Sequence, residues 1–311
     1  MHDDERIFSF YGVTTGGSTI MRLFPRWAEY LDLGAVRIDG TDLPIHGDPE
    51  IYRARVQRLK DDPRELGALV TTHKIDLYDA CRHQFDEVDD LALLCHETSC
   101  LSKRDGRLLA HAKDPISAGQ SLDGMLPPGY WTRTRGDVLC LGAGGSAIAI
   151  TLHLLTSRPP EDRPRRIVVV NRSQPRLDAL RAIIGQVEPA ASLELVCSGD
   201  PARNDAIMEG LAPGSLVINA TGMGKDTPGS PISDAGRFPR AGVAWELNYR
   251  GELDFLHQAR AQAAERDLAV HDGWAYFIYG WTAVIEEVFD LRLTPEQHVR
   301  LAEIADEVRR T

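Results

Sequence analysis

Lysine is scarce in this 311-residue chain: Lys60, Lys74, Lys103, Lys113 and Lys225 are the only ones among 35 basic residues. Chemistry that needs an ammonium rather than a guanidinium therefore has few candidates. Basic charge is also in deficit, because 46 acidic residues leave a net charge of −11. That balance argues against broad electrostatic binding to nucleic acid or an anionic membrane. No apolar run approaches the roughly 18 residues of a membrane span, and the start MHDDERIFSF has no signal-peptide pattern. The five cysteines (Cys81, Cys95, Cys100, Cys140, Cys197) are odd in number and form no C-x-x-C or zinc-spaced cluster with histidine. A reduced, cytoplasmic protein with no structural metal is expected, and Cys140, inside VLCLGAG, reads as a small buried hydrophobe.

The composition, 43% hydrophobic and 26% charged, is that of a globular protein, and the length suits two domains. In the first third, strands are expected at Ile7–Tyr11, Val36–Asp39 and Ala68–Thr72, with helices at Phe24–Leu33 and Ile51–Lys60. That alternation implies a mostly parallel sheet. It breaks at KDPISAGQSLDGMLPPGY near residue 115, a Gly/Pro/Ser-rich stretch suited to a domain junction. A second series follows, with strands at Asp137–Leu141, Arg166–Asn171, Leu193–Cys197, Leu216–Ala220 and Val243–Leu247. Helices at Ser146–Thr156 and Arg176–Gly185 alternate with them, as in a doubly wound nucleotide-binding sheet. Ser157–Arg166 (SRPPEDRPRR) reads as a solvated turn. Gly273–Phe289 and Pro295–Arg310 read as helices that pack back on the first domain.

The turn Gly142-Ala143-Gly144-Gly145-Ser146-Ala147 follows a strand and opens a helix, matching G-x-G-x-x-G/A. Gly142 permits the tight turn, Gly144 lets the backbone approach a pyrophosphate, and Ala147 allows close helix packing. The helix start offers N–H groups and partial positive charge to the phosphates. At the end of the next strand, NAD sites usually carry a carboxylate; here stand Asn171, Arg172, Ser173 and Arg176. Guanidinium groups suit a 2′-phosphate, so NADP is the expected cofactor.

Further segments resemble the shikimate dehydrogenase family over nearly the whole length. GAGGSA is similar to its GAGG(A/S)A turn, NRSQPR to its NRT-x-x-R segment, and LVINATGMG to its INATSxGM loop, with Gly222 in place of the serine. ELNYRGELDFLHQA is similar to D-x-x-Y-x-P-x-x-T-x-L-L and puts Tyr249 at the tyrosine. LVTTHK resembles VT-x-P-x-K, with Thr72 at the proline, and SCLSKRDGRLLAHAKD resembles NT…dG.l.GyNTD. The resemblance implies an α/β fold: an N-terminal α/β substrate domain (1–115), a Rossmann NADP-binding domain (116–270), and C-terminal helices (271–311) returning to the first domain. It implies Lys74 and Asp114 as catalytic residues. It adds Asn219, Ala220, Thr221, Met223 and Gly273 to the cofactor set, and points to Ser18, Ile20, Thr71, Ser99, Tyr249, Tyr276 and Gly280 as substrate positions.

The substrate positions depart from the family pattern. Ile20 replaces a serine, Ser99 an asparagine, Cys100 a threonine, and Gly280 a glutamine. Ala112-Lys113-Asp114 replaces NTD, while Trp274, Tyr276, Tyr279 and Trp281 crowd nearby. Losing one buried polar partner costs about 1–3 kcal/mol. Two readings stand: a pocket rebuilt for a larger or more apolar cyclic alcohol or ketone with Lys113 as a new anchor, or a conventional pocket with a local slip in the correspondence. The function implied is reversible hydride transfer between NADP(H) and a cyclic hydroxyl or keto compound such as shikimate/3-dehydroshikimate, by a monomer or homodimer. The alternative is a catalytically silent NADP-binding regulator. Methylene-tetrahydrofolate dehydrogenases share the two-domain plan and a catalytic lysine, but none of their other motifs occurs.

Overall fold

Residues 5–225 and 227–310 are described by the computed structural model. The chain runs β1 (Arg6–Gly12), α1 (Ile20–Tyr30), β2 (Val36–Asp42), α2 (Pro49–Asp61), β3 (Glu65–Val70), α3 (Lys74–Cys81), β4 (Glu87–Val88) and α4 (Asp90–Cys95). Next come β5 (Cys100–Arg104), β6 (Arg107–His111), α5 (Asp114–Met125), α6 (Tyr130–Thr134), β7 (Val138–Leu141), α7 (Gly145–Thr156), β8 (Ile167–Asn171) and α8 (Gln174–Val187). The remainder is β9 (Leu193–Cys197), α9 (Pro201–Glu209), β10 (Leu216–Asn219), β11 (Val243–Glu246), α10 (Asp254–Arg266), β12 (Ala269–His271), α11 (Trp274–Phe289) and α12 (Pro295–Arg310). Two units result: one runs through Asp114 and resumes at Ile278, and the other spans Pro115–Phe277. No helix among the described residues is long and apolar enough to cross a membrane.

The first unit is built on a six-stranded sheet of order β2-β1-β3-β5-β6-β4. Helix α1 forms because Ile20, Leu23, Phe24, Trp27 and Ala28 recur at helical spacing and bury one face. The indole of Trp27 donates to the Leu301 carbonyl at 2.9 Å, which ties α12 to this unit. From the same unit's part of α11, Trp281 packs edge-on against Phe8 and Phe10. The sheet is mostly parallel, as expected, with one reversed strand: β5 runs antiparallel to both β3 and β6. Asp105 and Gly106, at φ 51° and 75°, close β5 and β6 as a two-residue hairpin, the geometry an Asp-Gly pair favours. The strand–helix alternation of the flanking sequence hid that hairpin.

In the second unit all six strands are parallel, in the order β12-β11-β10-β7-β8-β9. The short apolar runs VLCL, VVVN and LVIN form its buried centre, as strands covered on both faces must. Chain order reverses between β7 and β10, so the crevice beyond their carboxyl ends is a topological switch point.

The division between the two units falls in the Gly/Pro/Ser-rich stretch near residue 115, between Asp114 and Pro115, and most of that stretch forms α5. One loop expectation needs correction. The loop 157–166 is anchored rather than solvated. Asp162 is buried and accepts N–H groups from Gly129, Trp131 and Thr132 at 2.7–3.2 Å. Arg158, also buried, donates to the Leu126 carbonyl and to Asp123. Charged residues in a proline-rich loop read as solvated until their tertiary donors are known. Replacing Asp162 by alanine strands three backbone donors, so Asp162→Ala is expected to cost about 2–3 kcal/mol. Urea unfolding followed through the adjacent buried Trp131 checks this.

Candidate active site

Three neighbouring strands of the first unit deliver the candidate chemistry to one sheet edge. Strand β3 ends at Val70 and its turn leads to Lys74; antiparallel β5 begins beside it, with Val70 N–H donating to the Ser99 carbonyl at 2.9 Å. Strand β6 ends at His111, and Asp114 follows. Thr98 N–H donates to the Lys74 carbonyl at 3.1 Å, Ser99 N–H to His111 at 3.0 Å, and Lys113 N–H to Ser99 Oγ at 2.7 Å. These bonds hold the segment 97–99 between the two catalytic candidates. The Lys74 ammonium is ion-paired with Asp114 Oδ2, the two side chains being 21% and 10% exposed. An ion pair this shielded fixes the direction of the ammonium's N–H groups and keeps it charged.

A second acid stands behind the pair. Glu97 is 2% exposed and its Oε1 has no hydrogen-bond partner among the described residues. Burial, reinforced by the Asp114 charge, pushes its carboxyl up to about 8. The motif comparison passed over it, because CHETSC carries no spacing signal of its own.

The second unit holds a cleft of about 460 Å³ at the switch point. Gly142, Ala143, Gly144, Asn171, Arg172, Ser173, Arg176, Ala220, Thr221 and Met223 line it together. Gly142 sits at φ +118°, and a Cβ there would meet the Ala220 carbonyl oxygen at 2.4 Å, so only glycine fits. Around Gly144 a Cβ would meet nothing within 4 Å, and no side chain caps α7 at that residue, whose first N–H groups come from Gly145, Ser146 and Ala147. No carboxylate lines the cleft among the described residues. Ser198, Gly199, Thr227 and Ser230 also line it. They lie beyond strand ends, where the sequence pattern offered no motif.

No family model matches the chain. The shikimate dehydrogenase (NADP(+)) of Symbiobacterium thermophilum is 29% identical over 264 residues, 84% of each chain. In structure, the shikimate dehydrogenase of Aquifex aeolicus superposes with a TM-score of 0.74 at 16% identity, covering 100% of both chains. A quinate dehydrogenase from Corynebacterium glutamicum in complex with NAD gives a TM-score of 0.72 at 18% identity, covering 98% of this chain and 100% of that one. Over most of its length the chain is similar to shikimate dehydrogenases in sequence, and in fold it matches them throughout. Its α/β architecture, with a Rossmann-type second unit, is that of these relatives.

The remaining candidate residues fall in distinct places. Ser18 is buried beside Thr15, with its N–H donating to the Thr15 carbonyl at 2.9 Å. Thr71 Oγ1 donates to the Tyr11 carbonyl at 3.1 Å. Ile20 is fully buried. Gly280 has open space where a side chain would project. Lys113 does not stand as an anchor in waiting: its ammonium is paired with Glu287 Oε2 at 2.6 Å and is 12% exposed. In the second unit Tyr249 packs against Trp274 and Phe277, and Tyr276 donates to Ser146 Oγ at 3.2 Å. Gly273 packs so tightly that a Cβ would meet the Leu247 carbonyl oxygen at 1.9 Å. Of the crowded aromatics, Trp281 is a core residue of the first unit.

Asn219 belongs to a buried network behind the cleft. Its Nδ2 donates to Glu246 Oε2 at 2.6 Å, while its Oδ1 accepts from Thr221 Oγ1 at 2.6 Å and from Thr221 N–H at 3.1 Å. Asn248 donates twice to Glu246 Oε1, at 2.7 and 2.8 Å. Burial outweighs these donors and pushes the Glu246 carboxyl up to about 7. A carboxyl raised on folding is protonated more readily in the folded state. Its stabilising contribution is therefore complete below the unfolded value and disappears as pH rises through about 7. Urea unfolding at pH below 4.5 and above 7 is expected to show the wild type losing about 2–3 kcal/mol more than Glu246→Gln across that window.

Proposed function

We propose that the protein is an NADP-dependent dehydrogenase that passes hydride reversibly between NADP(H) and a hydroxyl or keto carbon of a cyclic substrate, shikimate or a less polar relative. The observation that carries this reading is the ion pair of Lys74 and Asp114 at the sheet edge. NADP, when bound, supplies the hydride donor or acceptor. The cleft fits it: Gly144 leaves room for a diphosphate, the start of α7 presents uncapped N–H groups, and Arg172 and Arg176 suit a 2′-phosphate. Asn219, held by Glu246, fixes the Thr221 turn that forms the cleft's floor.

Lys74 Nζ gives a proton to the substrate oxygen during ketone reduction and takes one during alcohol oxidation. Asp114 Oδ2 orients that ammonium and balances its charge. The less polar substrate is supported by what the pocket positions have given up. Ile20 offers no polar group, Gly280 offers no side chain, Ser99 Oγ is engaged by Lys113 N–H, and the Lys113 ammonium is neutralised by Glu287.

Lys74→Ala is expected to bind NADP normally and lose turnover by about 10²–10⁴-fold, measured as NADP reduction with shikimate, quinate and less hydroxylated cyclic alcohols. Full turnover in this variant would remove Lys74 from the chemical step, whereas NADP binding with no turnover of any compound by the wild type supports the silent-regulator reading instead. The double variant Arg172→Ala/Arg176→Ala is expected to weaken NADP about ten- to a hundredfold while leaving NAD affinity unchanged. Calorimetric titration with each dinucleotide reads this.

A further inference from the structure

Glu97 has no part in the chemistry described so far, yet its placement joins it to that chemistry. It stands immediately before Thr98, whose N–H donates to the Lys74 carbonyl at 3.1 Å, and two residues before Ser99, whose Oγ accepts from Lys113 N–H at 2.7 Å. Its carboxyl is enclosed, 2% exposed, and Oε1 is without a hydrogen-bond partner among the described residues. An acid in such a place is ordinarily a liability, since an unpaired buried carboxylate costs several kcal/mol.

We propose that Glu97 is a positioning residue for the Lys74–Asp114 pair, a buried carboxyl whose charge state sets how firmly Lys74 holds its proton. The ionisable groups that face it are Lys74 from α3, Asp114 from α5 and Cys95 from α4. Burial pushes the Cys95 thiol up to about 12, so that group stays neutral. At neutral pH Glu97 is protonated, because burial and the Asp114 charge raise its carboxyl to about 8. The Lys74–Asp114 pair is then undisturbed, with one positive and one negative charge. As pH rises through about 8, Glu97 ionises, and a second negative charge near the ammonium favours its protonated form. Lys74 thereby keeps the proton that ketone reduction needs into a more alkaline range than the pair alone would allow.

The inference rests on Lys74 being the acid of the proposed reaction, so its test does not depend on turnover. Lys74 in the whole unliganded protein is acylated with acetic anhydride across the alkaline range, and its peptide is quantified by mass spectrometry. Glu97→Gln keeps the shape of the neutral acid but cannot ionise. The pH midpoint of Lys74 acylation is expected to be lower by about one pH unit in Glu97→Gln than in the wild type, and lower again in Glu97→Ala, which also lacks the charge. Equal midpoints in all three proteins overturn the proposal. Infrared spectra of the Glu246→Gln protein give the same answer without altering position 97. A protonated-carboxyl band at neutral pH that fades on alkaline titration supports the inference, and its absence at neutral pH contradicts it. Where turnover is measurable, the alkaline limb of ketone reduction moves to lower pH in Glu97→Gln. A merely structural role for Glu97 would lower the rate without moving that limb. A shifted acylation midpoint together with an active Lys74→Ala enzyme would sink the proton-transfer role of Lys74 and leave the charge coupling standing.

Discussion

The ion pair between Lys74 and Asp114 is the constraint around which the first unit is arranged. An ammonium shielded to this degree needs its counter-charge at a fixed place, and the two residues are 40 positions apart in sequence. The sheet order β3-β5-β6 closes that distance: Lys74 leaves one strand, Asp114 leaves another, and the β5–β6 hairpin sets the spacing between them. The mixed character of the sheet is thus part of the site. Parallel connection throughout would carry the chain to the opposite edge before each return. With β5 reversed, residues 97–99 enter at the same edge and are stitched to Lys74 and Lys113 through backbone groups.

The second unit answers a different requirement, that of holding an anion without cationic side chains at every oxygen. Its parallel strands reverse order between β7 and β10, and the glycine turn beyond β7 approaches the Ala220 carbonyl closely enough to exclude any side chain. In a chain with net charge −11, a cleft whose described lining contains two arginines and no acid is a local inversion of the overall balance. Such an inversion attracts a multiply charged anion despite the repulsive remainder of the surface.

What was legible in the sequence was whatever the backbone imposes locally. Buried parallel strands must be apolar on both faces, so β7, β8 and β10 announce themselves; Gly142 is required by its positive φ, and Trp27 falls on the stripe of α1. The pairing of Lys74 with Asp114 was legible only through resemblance, since a lysine after a strand is ordinarily solvated. The rest depended on partners distant in sequence. Asp162 looks solvated in SRPPEDRPRR until the N–H groups of Gly129, Trp131 and Thr132 are brought to it. Lys113 looks available until Glu287, 174 residues away, takes its charge. Asp105-Gly106 carried a hairpin signal that strand–helix alternation around it outweighed. Glu97 had no local signature at all, because its character comes from enclosure and from the charges of Lys74 and Asp114.

The central claim is that Lys74 and Asp114 act as one unit in proton transfer to the substrate oxygen. A double-mutant cycle on turnover tests it most directly, comparing Lys74→Ala, Asp114→Asn and the combined variant in NADP reduction by whichever cyclic alcohol the wild type oxidises fastest. For groups that act together, losses do not multiply. The account expects the combined variant to fall within about tenfold of the weaker single variant. Losses that multiply, each residue contributing its full factor regardless of the other, would contradict it.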